Sequence, residues 1–158
     1  DYYLKIADKV ANLGWHIVVY FESENLRKFE SLIKKFPMPI VIDHMGRPDV
    51  TQGVNSETFQ RICQLVATRP DNWIKVSCVE RVSQAGAPYS DVIPFAKYLV
   101  DHFPDQVLWG TDWPHPNMEP NIPDDSLLVN NIPLIATSAE LQKKLLVDNP
   151  HRLYQFED

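Results

Sequence analysis

The chain has 158 residues, of which 15 are Lys or Arg and 21 are Asp or Glu, giving a formal charge of −6. That acidic balance, without a basic run, argues against a nucleic-acid binder or a protein held on an anionic membrane, and no apolar stretch is long enough to span a bilayer. The two cysteines, Cys63 and Cys78, form no CxxC pair, which argues against a disulfide framework or a zinc-thiolate site and for a reducing, cytoplasmic setting. Nor does a charged-then-apolar leader follow Asp1.

The predicted elements alternate along the chain. Residues 1–13 place Leu4, Ala7, Val10 and Ala11 on one helical stripe, and Gly14 is a natural stop. Residues 15–21 (WHIVVYF) are β-branched and aromatic and read as a strand. Leu26, Phe29 and Ile33 give a helix over residues 26–36, ended by Pro37 and Pro39. Residues 40–42 form a second strand that closes on Asp43 and His44. Ser56 is the expected cap of a helix reaching Ala67, with Phe59, Ile62, Cys63 and Val66 facing inward. A third strand covers residues 73–78. A helix follows over residues 90–103, with Val92, Phe95, Ala96 and Leu99 on one face. Residues 107–111 are the fourth strand, and residues 138–147 are a final helix capped by Ser138.

This order, α-β-α-β-α-β-α-β-α, implies a single α/β domain with a parallel sheet and helical crossovers. The strands start roughly 24, 34 and 34 residues apart, the size of a βαβ unit. Four parallel strands make either a small open sheet or half of an eight-stranded barrel, which takes about 250 residues. A half barrel leaves two sheet edges and one face uncovered. The barrel reading therefore expects roughly 100 or more further residues on the N-terminal side.

Polar residues gather where the strands end: Tyr20 and Glu22, then Asp43 and His44, then Ser77, Cys78, Glu80 and Arg81, then Thr111, Asp112 and His115. In parallel α/β folds these C-terminal strand ends line the active site. Asp112, flanked by two tryptophans in LWGTDWPHPN, is either a partly desolvated general base or an acceptor that caps a Pro-rich turn. His44 can polarise a carbonyl, ligate a metal, or be satisfied by backbone. Arg81 offers a planar fork for a carboxylate, or pairs with Glu80. Tyr20 donates to a substrate or fills the mouth of the site. His115 shares a pocket with Asp112 or orients the turn between Pro114 and Pro116. His16, His102 and His151 read as structural. Cys78 beside Arg81 would suit an activated thiolate, but no histidine adjoins it in sequence. His44 and Asp112 supply two metal ligands where a catalytic zinc needs about three, and no His-x-His pair occurs.

VIDHMGRP, KVSCVER, LWGTDWPHPN, PDD and LLVDNPHRLY, in that order, resemble the amidohydrolase superfamily of (β/α)8 barrels. Within it they are most similar to the lactone hydrolases that open 2-pyrone-4,6-dicarboxylate. The resemblance runs from about Trp15 to Phe156 and implies the C-terminal half of a TIM barrel, strands five to eight with their helices. It implies that Asp112 activates water and that His44 assists at the lactone carbonyl. It further implies that Tyr20, Arg81 and His115 contact the substrate, with Arg81 on a carboxylate. The implied activity is ring opening of a small anionic lactone during breakdown of lignin-derived aromatics. Muconolactone and sugar-lactone hydrolysis, or metal-dependent decarboxylation, are the enzymatic alternatives, and a self-associating or inactive half barrel is the non-enzymatic one. No cofactor is implied, unless a first half carrying His-x-His brings a divalent metal. The chain departs from the superfamily in lacking that His-x-His and strands one to four. Homo-oligomerisation is compatible with this reading.

Overall fold

The computed structural model describes residues 2–156. Helix α1 covers Tyr2–Val10 and runs into a 3-10 turn, Ala11–Leu13, closed by Gly14 in the left-handed conformation. The strands are β1 (Ile17–Val19), β2 (Ile40–Ile42), β3 (Trp73–Val76) and β4 (Val107–Trp109). The first, third and fourth are shorter than the apolar runs that predict them, because the outer residues of each run leave the ladder to form the strand-end turns. Among the described residues the sheet has the order β1-β2-β3-β4, with every pairing parallel. β1 and β4 therefore pair on one side only.

The crossovers are α2 (Leu26–Ile33), α3 (Glu57–Ala67), the single turn α4 (Val79–Val82) and α5 (Ile93–His102). The inward stripes of α3 and α5 are buried as their spacing requires. α2 departs from its predicted stripe. Phe29 is 46 % exposed, and Glu30 takes the inward position between Leu26 and Ile33. Glu30 tolerates burial because Lys34 and Arg61 both bind its carboxylate. Ser56 precedes α3, but its side chain makes no capping bond. After β4 the chain forms α6 (Asp125–Asn130), α7 (Ile132–Ile135) and α8 (Ala139–Lys143), followed by α9 (Asn149–Tyr154). The predicted terminal helix is thus longer than its apolar stripe. Ser138 caps it through the Leu141 N–H, and a π-helical stretch, Lys144–Asp148, joins α8 to α9.

Register divides the sheet into two faces. Ile40, Ile42, Ile74, Val76 and Val107 join the main core beneath the helices. Val18 pairs with Val41, Val41 with Trp73, and Lys75 with Leu108, which sets these residues on the opposite face. There Val41, Trp73 and Leu108 form a second small cluster against Leu153. Val18 remains 49 % exposed.

Candidate active site

Three strand exits repeat one backbone feature. His44 after β2, Cys78 after β3 and Asp112 after β4 have φ of 48°, 59° and 71°. Left-handed backbone is costly for residues with a side chain, and such strain clusters at functional sites. Here it turns three polar side chains toward each other at the C-terminal end of the sheet. Their donor atoms lie within 4.8 Å of one another.

Asp112 is the centre of this cluster. Its Oδ2 accepts from Arg81 Nη2 at 2.8 Å, and its Oδ1 lies 3.6 Å from His44 Nε2. Arg81 is therefore not paired with its neighbour Glu80. It also donates Nε–H to Cys78 Sγ, so the guanidinium ties β3 to β4 and keeps Nη1 free of partners among the described residues. His44 Nδ1 meets Ser77 Oγ at 2.8 Å, while Nε2 also lies 3.4 Å from Asp43 Oδ2. Burial pushes the imidazole below its ordinary value, against the opposing pull of Asp43 and Asp112. A neutral ring facing carboxylates through Nε2 carries its proton there and accepts the Ser77 hydroxyl proton at Nδ1. The site thus presents an N–H to whatever lies beside Asp112.

Tyr20, half-exposed, sets its ring edge-on to His44 with centroids 6.0 Å apart. Its hydroxyl donates to Glu22, and Glu22 in turn accepts from Arg47 Nε at 3.2 Å. Arg47 Nη1 is buried without a partner among the described residues. His115, expected to contact substrate, is enclosed in this chain. Its side chain is 2 % exposed and lies between Glu80 and Asp125. The far end of the sheet holds His16, beside Trp15 and Trp73, in a hollow of about 550 Å³. His102 ends α5 and His151 lies in α9, neither of them at a strand exit.

His44, Cys78 and Asp112 each bring one potential ligand atom within reach of a single cation, but a guanidinium stands among them. Arg81 already occupies both Asp112 and Cys78, and its charge repels a second cation. Burial, with Glu80 and Asp112 nearby, pushes the Cys78 thiol up to about 12, so it is not an activated nucleophile.

Sequence reasoning named Ser77 only as a strand-end residue and passed over Arg47. Both sit inside the motifs that carried the resemblance, VIDHMGRP and KVSCVER. What was missing was the partner: neither His44–Ser77 nor Glu22–Arg47 is close in sequence.

Residues 1–156 match the amidohydrolase family. The chain belongs to the amidohydrolase family. It is 51 % identical over 162 residues to the 2-pyrone-4,6-dicarboxylate hydrolase of Comamonas testosteroni, covering 98 % of this chain and 53 % of that protein. It is 42 % identical over 144 residues to the 4-sulfomuconolactone hydrolase of Rhizobium radiobacter, covering 90 % and 48 %. A solved structure of a candidate 2-pyrone-4,6-dicarboxylic acid hydrolase from Pseudomonas putida superposes with a TM-score of 0.78 at 29 % identity, over 97 % of this chain and 56 % of that one. The chain spans about half the length of the curated relatives it matches.

Proposed function

We propose that this chain is the second half, strands five to eight, of an amidohydrolase barrel, a single partial domain whose first half closes on β1 and β4. The full-length protein, in this reading, opens a carboxylate-bearing lactone, 2-pyrone-4,6-dicarboxylate first of all, in the cytoplasmic breakdown of lignin-derived aromatics. The observation that carries the reading is the Asp112 carboxylate held between the Arg81 guanidinium and the His44 Nε2–H at the strand ends.

Asp112 takes a proton from water as the water oxygen bonds to the lactone carbonyl carbon. The carbonyl oxygen gains negative charge and accepts the His44 Nε2–H, an oxyanion contact that strengthens as charge develops. When the ring C–O bond breaks, Asp112 returns its proton to the departing enolate oxygen. Arg81, which holds Asp112 through Nη2 and Cys78 through Nε, keeps Nη1 for a substrate carboxylate, an orientation effect, and the half-exposed Tyr20 lies beside His44 at the same strand ends. The scheme uses no cofactor. A sulfonated muconolactone has the same chemistry, a lactone beside an anion, and the 42 % identity to a hydrolase of that substrate makes it the second compound to assay.

The test is ring opening by the full-length protein, followed by loss of pyrone absorbance, with wild type and Asp112→Asn compared. Loss of the base should lower kcat about 1000-fold while the circular dichroism spectrum is unchanged. Near-wild-type turnover in a folded Asp112→Asn enzyme would overturn the assignment.

A further inference from the structure

The single turn α4 carries two charged residues side by side, and the mechanism above uses only one of them. Arg81 reaches Asp112. Glu80 is enclosed: its side chain is 1 % exposed, and neither carboxylate oxygen has a hydrogen-bond partner among the described residues. A buried carboxylate left so is costly unless a charged or protonated partner answers it. The group within ion-pair reach is His115 Nδ1, 3.6 Å from Glu80 Oε1 and itself without a hydrogen bond among the described residues. The other ring nitrogen, Nε2, lies 3.1 Å from Asp125 Oδ1, at the start of α6. Tyr89 and Cys78 also lie close enough to feel the Glu80 charge. The His115 ring therefore bridges two acids carried by two different elements.

His115 also shares a tight turn with Asp112. Its backbone N–H donates to the Asp112 carbonyl at 2.7 Å, and the two residues have φ of 58° and 71°. Two left-handed residues in one short turn are strained, so the turn persists because its surroundings hold it. α4 provides that hold at both ends, through Arg81 on the Asp112 carboxylate and through Glu80 on the His115 ring.

We propose that Glu80 is a positioning residue: acting through His115, it fixes the turn that aims the Asp112 carboxylate. The proposal rests on the reading of Asp112 as the reacting carboxylate.

Glu80→Ala, Glu80→Gln, His115→Phe and the Glu80→Ala/His115→Phe double variant, made in the full-length protein, test this. A misaimed Asp112 should lower kcat about 100-fold in Glu80→Ala with KM held within about threefold. Glu80→Gln keeps a polar partner for the ring and should recover about tenfold of that loss. His115→Phe should cost as much as Glu80→Ala, and the double variant no more than either, the pattern of residues acting as one unit. A role confined to stability would lower the melting temperature of every variant and leave kcat of the folded enzyme unchanged. A folded Glu80→Ala enzyme with kcat within threefold of wild type, or additive losses in the double variant, overturns the proposal. If Glu80→Ala does not fold, the isosteric Glu80→Gln enzyme decides, with a kcat loss of about tenfold expected and no loss overturning. Should the wild type open no lactone, the functional reading falls, but the pairing is still readable. The 15N resonance of His115 Nδ1 should move in Glu80→Gln while Nε2 stays, and an unmoved Nδ1 refutes it.

Discussion

His44 sits between a hydroxyl and two carboxylates, and its protonation state decides what it can do. Burial lowers its pKa below the ordinary value of 6.5, and His16, at the other end of the sheet, is lowered by burial and by Lys75. As the pH falls through about 6.5, both rings gain a proton in the unfolded chain while the folded protein still resists it. The stability these rings contribute is complete above that pH and is lost as the pH falls toward the folded-state values. Urea midpoints measured from about pH 8 to about pH 5 should therefore decline, and His44→Gln should decline less steeply. Parallel slopes in the two proteins would show that His44 is not held neutral. The same residue marks how far single-residue reasoning reaches. Asp112, His44 and Arg81 were legible because each follows an apolar run that becomes a strand. Their partners were not, because Arg81–Asp112 and His44–Ser77 are 31 and 33 residues apart in sequence. Local order left Arg81–Glu80 open as one alternative, and burial sends the two side chains to different partners.

The turn after β2 illustrates the same limits at the level of an element. Residues Asp43–Gly46 form a 3-10 turn in which His44 and Met45 already have positive φ. Gly46 follows with φ of 67°, and a Cβ there would lie 2.8 Å from Ile62 Cδ1 and 3.1 Å from its Cγ1. Ile62 is fully buried on α3 and has little room to give way. Gly46→Ala should therefore destabilise the protein by about 2–3 kcal/mol, read as a lower urea midpoint with an unchanged slope. It should also displace Arg47, which follows it, and His44, two residues before it in the same turn, so activity should fall more than unfolding alone explains. A variant as stable as wild type would mean that the turn adapts. α3 and α5 were legible because each has enough turns to show a stripe. α4 and α7, with four residues each, have no period to read. α2 misled because Phe29 fits the apolar spacing while the actual inward residue is the ion-paired Glu30.

At the scale of the whole molecule, the sheet is open and its surface is large for its mass. The accessible area is 8920 Å², against roughly 8,100 Å² expected for a compact monomer of 18.2 kDa. Part of the excess lies where a closed barrel would have its interior: Val18 is 49 % exposed on the face shared by Val41, Trp73, Lys75 and Leu108. If four further strands close on β1 and β4, Val18 becomes an interior residue, and a charge there is costly because it lacks a partner such as Asp43 provides for Lys75 on the same face. Val18→Lys should then destabilise the full-length protein by more than about 3 kcal/mol. In the 158-residue chain produced alone, the same substitution falls on exposed surface and should change stability by less than about 0.5 kcal/mol. There it should also raise the monomer fraction in sedimentation, because it puts a charge on a bare apolar face and beside an unpaired strand edge. The substitution must therefore be costly in one protein and nearly neutral in the other. A Val18→Lys full-length protein as stable as wild type would mean that β1 is a true edge and that the sheet is not half of a barrel.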